Sequence, residues 1–182
     1  MPRADTTRAP RRGLYRIPLA VRMIAYGVSF LAVVLVVLPW LFHRAGERVL
    51  SRPLEIGGFR WVGAGLFLAA FFVYVRSSWW LTRKGRGAYV EFDPPREFVA
   101  TGPYRWVRNP IAASLVLMLL GESLAFSSPG IFLLFLLAMP LAHMQVVWLE
   151  EPLLRKRFGA SYERYVSRVP RWIPRRPREE SP

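Results

Sequence analysis

The sequence predicts an all-α, polytopic membrane helical protein of about four spans, and three observations predict it. Residues 23–42 carry no charged side chain, a run of about the 20 residues that a helix needs to cross a hydrocarbon core. Residues 111–126 and 131–149 are two more apolar runs, separated only by Ser127-Ser128-Pro129-Gly130, so they form a short helical hairpin of antiparallel neighbours. The 26 Lys and Arg, which leave a net charge of +14, lie almost all on one side of this pattern.

The first run is longer than the apolar core of a signal peptide and ends in Pro39-Trp40-Leu41-Phe42-His43 without a small-residue cleavage site, so it is a retained span. A second run covers residues 61–75 and continues past Arg76 to Leu81, with Arg76 snorkelling and Trp79 and Trp80 at the interface. Gly57-Gly58 and the pair Gly63 and Gly65 suit a close approach of this span to a neighbour. Glu122 falls near the end of the third run, beside the turn, where a carboxylate reaches the interface.

Four spans put both termini on one side. That side then holds every Lys and Arg except Arg44, Arg48, Arg52 and Arg60, and the positive-inside rule makes it the cytoplasmic side of an inner (plasma) membrane. Basic residues beside apolar spans are explained by topology and by attraction to anionic membrane lipid, so nucleic acid is not an expected partner. With no cysteine there is no disulfide, thiolate metal site or cysteine nucleophile. His43 and His143 sit on different spans without a carboxylate cluster, so no metal is expected.

The expected organisation is a disordered basic tail over 1–15, two spans within 16–81, a functional core over 82–174 and a disordered tail over 175–182. Within the core, the loop after the second span is long and rich in Pro and Gly, as ordered functional loops are. Gly85 and Gly87 lack the third glycine and the strand–helix context of a dinucleotide fingerprint. Asn109-Pro110 fits a helix start, with Asn109 as cap and Pro110 in the first turn. Glu150 and Glu151 end the fourth span, where the helix dipole disfavours negative charge, so a nearby cation or a continuing helix is implied. Leu153, Leu154, Phe158, Tyr162, Tyr165 and Val166 recur at helical spacing and predict an amphipathic cytoplasmic helix on the membrane surface.

Taken together, Thr101-Gly102-Pro103-Tyr104-Arg105-Trp106-Val107-Arg108-Asn109-Pro110, the apolar hairpin, Glu150-Glu151-Pro152-Leu153-Leu154, Phe158-Gly159 with Tyr162 and Tyr165, and Val169-Pro170-Arg171-Trp172-Ile173-Pro174 form an ordered series of blocks. The series resembles the isoprenylcysteine carboxyl methyltransferase and phospholipid methyltransferase superfamily, in its bacterial-type form. The resemblance covers about half the chain. It implies a membrane-embedded methyltransferase that uses S-adenosylmethionine in a cytoplasmic pocket, with a small or lipid-like acceptor methylated at carboxylate, amine or thiol.

By matching positions, the resemblance implies cofactor binding at Phe98, Val99, Tyr104, Arg108, Asn109 and Pro110, with Tyr162 and Tyr165 supplying aromatic and hydroxyl groups. It implies a charged, catalytic role for Glu150 and Glu151. Asn109 stands where many members carry His, Ala112 where an aromatic is common, and Val146 where the eukaryotic prenylcysteine enzymes carry an arginine, which argues against a prenylcysteine substrate. Two alternatives stay open from the residues themselves: a membrane reductase like the sterol reductases, which would bind a dinucleotide phosphate, and a non-enzymatic membrane protein whose motifs only fix helix ends.

Overall fold

A computed structural model describes residues 19–49, 57–85 and 97–176. Among them 83% are helical and none is in a strand. The N-terminal tail and the loop segment 86–96 lie outside the described residues, as does the C-terminal tail apart from Arg175 and Arg176.

The first rod is α1 (Leu19–Ala32), a π turn (Val33–Val37) and α2 (Leu38–Val49) in unbroken succession. The second is α3 (Phe59–Gly85). After a 3₁₀ turn over Gly102–Arg105 come α4 (Pro110–Ala125) and α5 (Pro129–Gln145), and α5 runs through a second π turn (Val146–Glu150) into α6 (Glu151–Phe158). The last element is α7 (Ala160–Arg168). Three helices are long and apolar enough to span a membrane: Ile24–Val49, Phe59–Gly85 and Pro129–Phe158. The fourth apolar helix, α4, has 16 residues and is about 24 Å long, shorter than a hydrocarbon core.

The four rods alternate in direction, and the contacts at one end fix this. His43 Nδ1 and Ser128 Oγ share a hydrogen bond of 2.8 Å, and Arg60 Nε donates to the Ala125 carbonyl at 3.0 Å. The end of the first rod, the start of α3 and the α4–α5 turn therefore meet, and residues 80–85, 97–110 and 145–172 gather at the opposite end. Between the ends, Leu35, Ala70, Tyr74, Met118, Leu119 and Leu134 form a core drawn from all four rods. Phe72, Leu68 and Trp148 stay exposed on the flanks, where a bilayer would cover them.

Lipid tails are as apolar as Leu, so association rests on close packing, and small residues permit it. A Cβ on Gly63 would stand 2.5 Å from the Ala125 nitrogen and 2.6 Å from the Gly121 carbonyl, and one on Gly121 would stand 2.7 Å from the Phe67 nitrogen. The expected close approach is thus made by Gly63, with Gly121 as its partner across the α3–α4 contact. Gly57, Gly58 and Gly65 have nothing within 4 Å where a Cβ would stand, and take no part in it.

Two expectations change. The amphipathic helix after the fourth span is two helices, because Gly159 adopts φ +51°, a conformation that side chains with a Cβ disfavour, and turns the chain back. Asn109 does not cap α4 with its side chain; it reaches another segment instead. Arg76 does find the interfacial aromatics, its guanidinium lying 5.9 Å from the Trp79 ring and 5.5 Å from the Trp80 ring.

Gly121→Leu is expected to cost about 3 kcal/mol through overpacking against backbone, whereas Gly65→Leu is expected to fall within about 0.5 kcal/mol of the parent. Thermal unfolding of the two variants in the same detergent checks the difference.

Candidate functional site

At the end opposite the α4–α5 turn, the chain buries a carboxylate. Glu151 is 2% exposed and is the first residue of α6. An isolated buried carboxylate is too costly to persist, and three arginines surround this one. Arg171 grips it with both arms of its fork, Nε to Oε1 at 2.7 Å and Nη2 to Oε2 at 3.0 Å. Arg108 Nη1 donates to Oε1 at 3.0 Å, and Arg155, one turn further along α6, brings Nη1 to 3.7 Å from Oε2. Arg155 is itself held by Glu163 of α7 through Nε to Oε1 at 2.9 Å. The carboxylate also raises the pKa of Arg171, chiefly through their hydrogen bond.

Backbone bonds lace the same segments together. The Arg108 N–H donates to the Pro170 carbonyl at 2.8 Å, and the Arg175 N–H donates to the Trp106 carbonyl at 3.1 Å. Asn109 Nδ2 donates to the Arg171 carbonyl at 3.2 Å, which is the partner it takes in place of a capping bond. Trp172 Nε1 meets His143 Nδ1 at 3.1 Å and pins the C-terminal segment to α5.

An aromatic cluster closes the other side. The Phe98 ring lies 5.2 Å from Phe158, 6.0 Å from Tyr162 and 5.2 Å from Tyr165 between centroids, the last two edge to face. Tyr165 donates its hydroxyl to the Tyr104 carbonyl at 2.7 Å. Burial pushes the pKa of both Tyr162 and Tyr165 up, with the Glu151 charge adding to the effect on Tyr162. Both phenols therefore stay protonated, with Tyr165 the donor to the Tyr104 carbonyl.

The loop entering the site is anchored at both ends. The Glu97 N–H donates to the Gly85 carbonyl at 3.0 Å, so the exit and re-entry points of the loop touch. Trp80 Nε1 donates to Thr101 Oγ1 at 3.1 Å, and the indole covers Gly102, whose φ of +62° and lack of Cβ allow that contact.

Of the residues singled out in the sequence, Phe98, Tyr104, Arg108, Asn109, Glu151, Tyr162 and Tyr165 come together here. Val99 and Pro110 are buried beside them as packing. Glu150 stands apart from the arginines: it is half-buried, at the end of the π turn, and accepts from Gln145 Nε2 at 3.2 Å. Arg108 Nε is buried with no hydrogen-bond partner among the described residues. The sequence reading assigned no part in this site to Arg171, Gln145 or Trp80. Arg171 sits in the Val169–Pro174 block that carried part of the resemblance, so its place was visible but its carboxylate partner was not. Among the described residues no group of His, Asp and Glu is arranged to hold a metal.

The described residues thus form a bundle of apolar, span-length helices with a buried carboxylate–arginine cluster at one end. A model of the phospholipid methyltransferase family matches residues 59–161, more than half of the chain. The chain belongs to that family, whose members are membrane methyltransferases acting on lipids. No curated protein and no solved structure matches it.

Glu151→Gln is expected to destabilise the protein by about 3–5 kcal/mol, because it leaves buried guanidinium charge uncompensated. Glu163→Gln, which breaks an exposed pair, is expected to cost no more than about 1 kcal/mol. Denaturant titration in mild detergent separates the two.

Proposed function

We propose that this protein is an S-adenosylmethionine-dependent methyltransferase of the inner (plasma) membrane, with its cofactor site at the cytoplasmic end and a small or lipid-like acceptor methylated at carboxylate, amine or thiol. The single observation that carries the reading is the convergence of residues 98–110 with residues 150–171 on one buried carboxylate–arginine cluster, within the stretch where family and motif agree.

The groups present suit the cofactor's chemistry. It carries an adenine, a carboxylate, an ammonium and a sulfonium, and so needs aromatic faces, a donor and an anion in one place. Phe98, Tyr104 and Tyr162 offer rings. Arg108 Nε is a buried donor without an acceptor among the described residues, suited to a carboxylate. Glu150, half-buried and among the described residues bound only to a neutral amide in Gln145, is the anion available to a cation. Glu151 is already saturated by arginine and holds the site together.

When bound, S-adenosylmethionine supplies an electrophilic methyl group. The protein's own task is then alignment and exclusion of water, with a carboxylate at hand to take a proton where the acceptor is protonated. The proposal gives that part to Glu150. The site end bears Arg83, Lys84, Arg105, Arg155, Lys156 and Arg157 against Arg44, Arg48 and Arg60 at the other end, which supports a cytoplasmic site.

Calorimetric titration of the detergent-solubilised protein with S-adenosylmethionine and S-adenosylhomocysteine, with NADPH as comparison, tests the reading. Saturable binding of the first two is expected, weakened at least about tenfold, or about 1.4 kcal/mol, by Glu150→Gln at unchanged melting temperature. Folded protein that binds neither, or that binds NADPH instead, overturns it.

A further inference from the structure

The two adjacent glutamates have different fates, and the helix geometry between α5 and α6 explains why. Val146 is 1% exposed and Glu151 2%, so residues five apart share the buried face. In a regular α-helix they would not: at about 100° per residue, a residue five positions on is turned about 140° away, while one four positions on is turned only about 40°. A regular helix would therefore place Glu150 beneath Val146 and turn Glu151 outward. The π turn over Val146–Glu150 reverses this, its closing bond running from the Glu151 N–H to the Val146 carbonyl.

The residue after that bond is Pro152, which has no N–H to offer the Trp148 carbonyl and whose ring crowds it in a regular helix. The first rod repeats the arrangement: the Leu38 N–H closes a π turn on the Val33 carbonyl and Pro39 follows. Pro140 lies within α5 with no such turn, so a proline permits the widening without compelling it everywhere.

We propose that Pro152 is a positioning residue: by sustaining the π turn it assigns Glu151 to the arginine cluster and leaves Glu150 as the carboxylate open to a cationic ligand. The part of this that concerns Glu150's ligand rests on the methyltransferase reading. The helix register does not, and is measured separately.

Pro152→Ala supplies the missing N–H and lets the turn close to α, which carries Glu150 beneath Val146 and into the arginines. The test compares melting temperatures of the full-length protein in detergent for Glu150→Gln and Glu151→Gln, each with and without Pro152→Ala. In the parent, Glu151→Gln lowers the melting temperature by several degrees and Glu150→Gln changes it little. In the Pro152→Ala background the two effects exchange. Deleting Leu149 as well puts Glu151 four residues after Val146 and restores the parental order, a rescue that a general effect of proline on stability would not give.

If Glu151→Gln stays the costlier change in the Pro152→Ala background, the proposal is wrong. If Pro152→Ala alone does not fold, the variant that also lacks Leu149 decides: folding like the parent carries the proposal, and failure overturns it. S-adenosylmethionine binding is followed in parallel. An exchange of stabilities, with a parent protein that binds none of it, would leave the register intact and remove the methyltransferase reading instead.

Discussion

The Glu151 carboxylate is the constraint on which the site end depends. Its three cations come from different parts of the chain: Arg108 from the approach to α4, Arg155 from α6 and Arg171 from the segment after α7. Arg108 is costly to bury without the carboxylate, and the carboxylate is costly to bury without its cations. The cluster therefore forms only when α4 and the α5–α6 rod stand side by side and the C-terminal segment has folded back. That alignment is set at the other end of the bundle, where the turn after α4 is only a few residues long and is tied to the first rod through His43 and Ser128.

Around this hub the remaining bonds divide the work. The rungs from Arg108 to Pro170 and from Arg175 to Trp106 hold backbone to backbone, so the C-terminal segment is fixed by more than charge. The Phe98, Phe158, Tyr162 and Tyr165 cluster makes a small core outside the membrane-spanning part, which gives α7 a reason to turn back at Gly159. The Trp80–Thr101 and Gly85–Glu97 ties hold the long loop at its roots. Such fixed placement suits the proposed methyl transfer, in which a site contributes mainly alignment.

Much of this was legible in the sequence, and for definite reasons. Apolar runs of span length and a hairpin turn of four residues are local or compositional signals, and they pointed to the helical membrane fold. The ordered blocks over 98–110 and 150–174 pointed to the family, because relative order and spacing survive where individual contacts cannot be seen. Nearly all the side chains those blocks nominated do meet at one end of the bundle.

What the sequence could not decide were choices between equivalent neighbours, because these depend on helix phase and on partners far away in the chain. Gly63 and Gly65 look alike as packing residues, and only the phase of α3 against α4 selects Gly63 and pairs it with Gly121. Asn109 reads as a cap until the Arg171 carbonyl is brought within its reach. The amphipathic period after residue 152 reads as one helix until Gly159 turns the chain so that Tyr162 and Tyr165 can cover Phe98. Glu150 and Glu151 are indistinguishable as a pair of letters, and a single extra residue in one helical turn settles which of them is buried among arginines. The sequence by itself determined the membrane helices, the family and the roster of polar residues at one end, since those follow from hydropathy and order. The tertiary structure alone decided which residue plays which part, since that follows from rotation about a helix axis and from contacts between residues 20 to 62 positions apart.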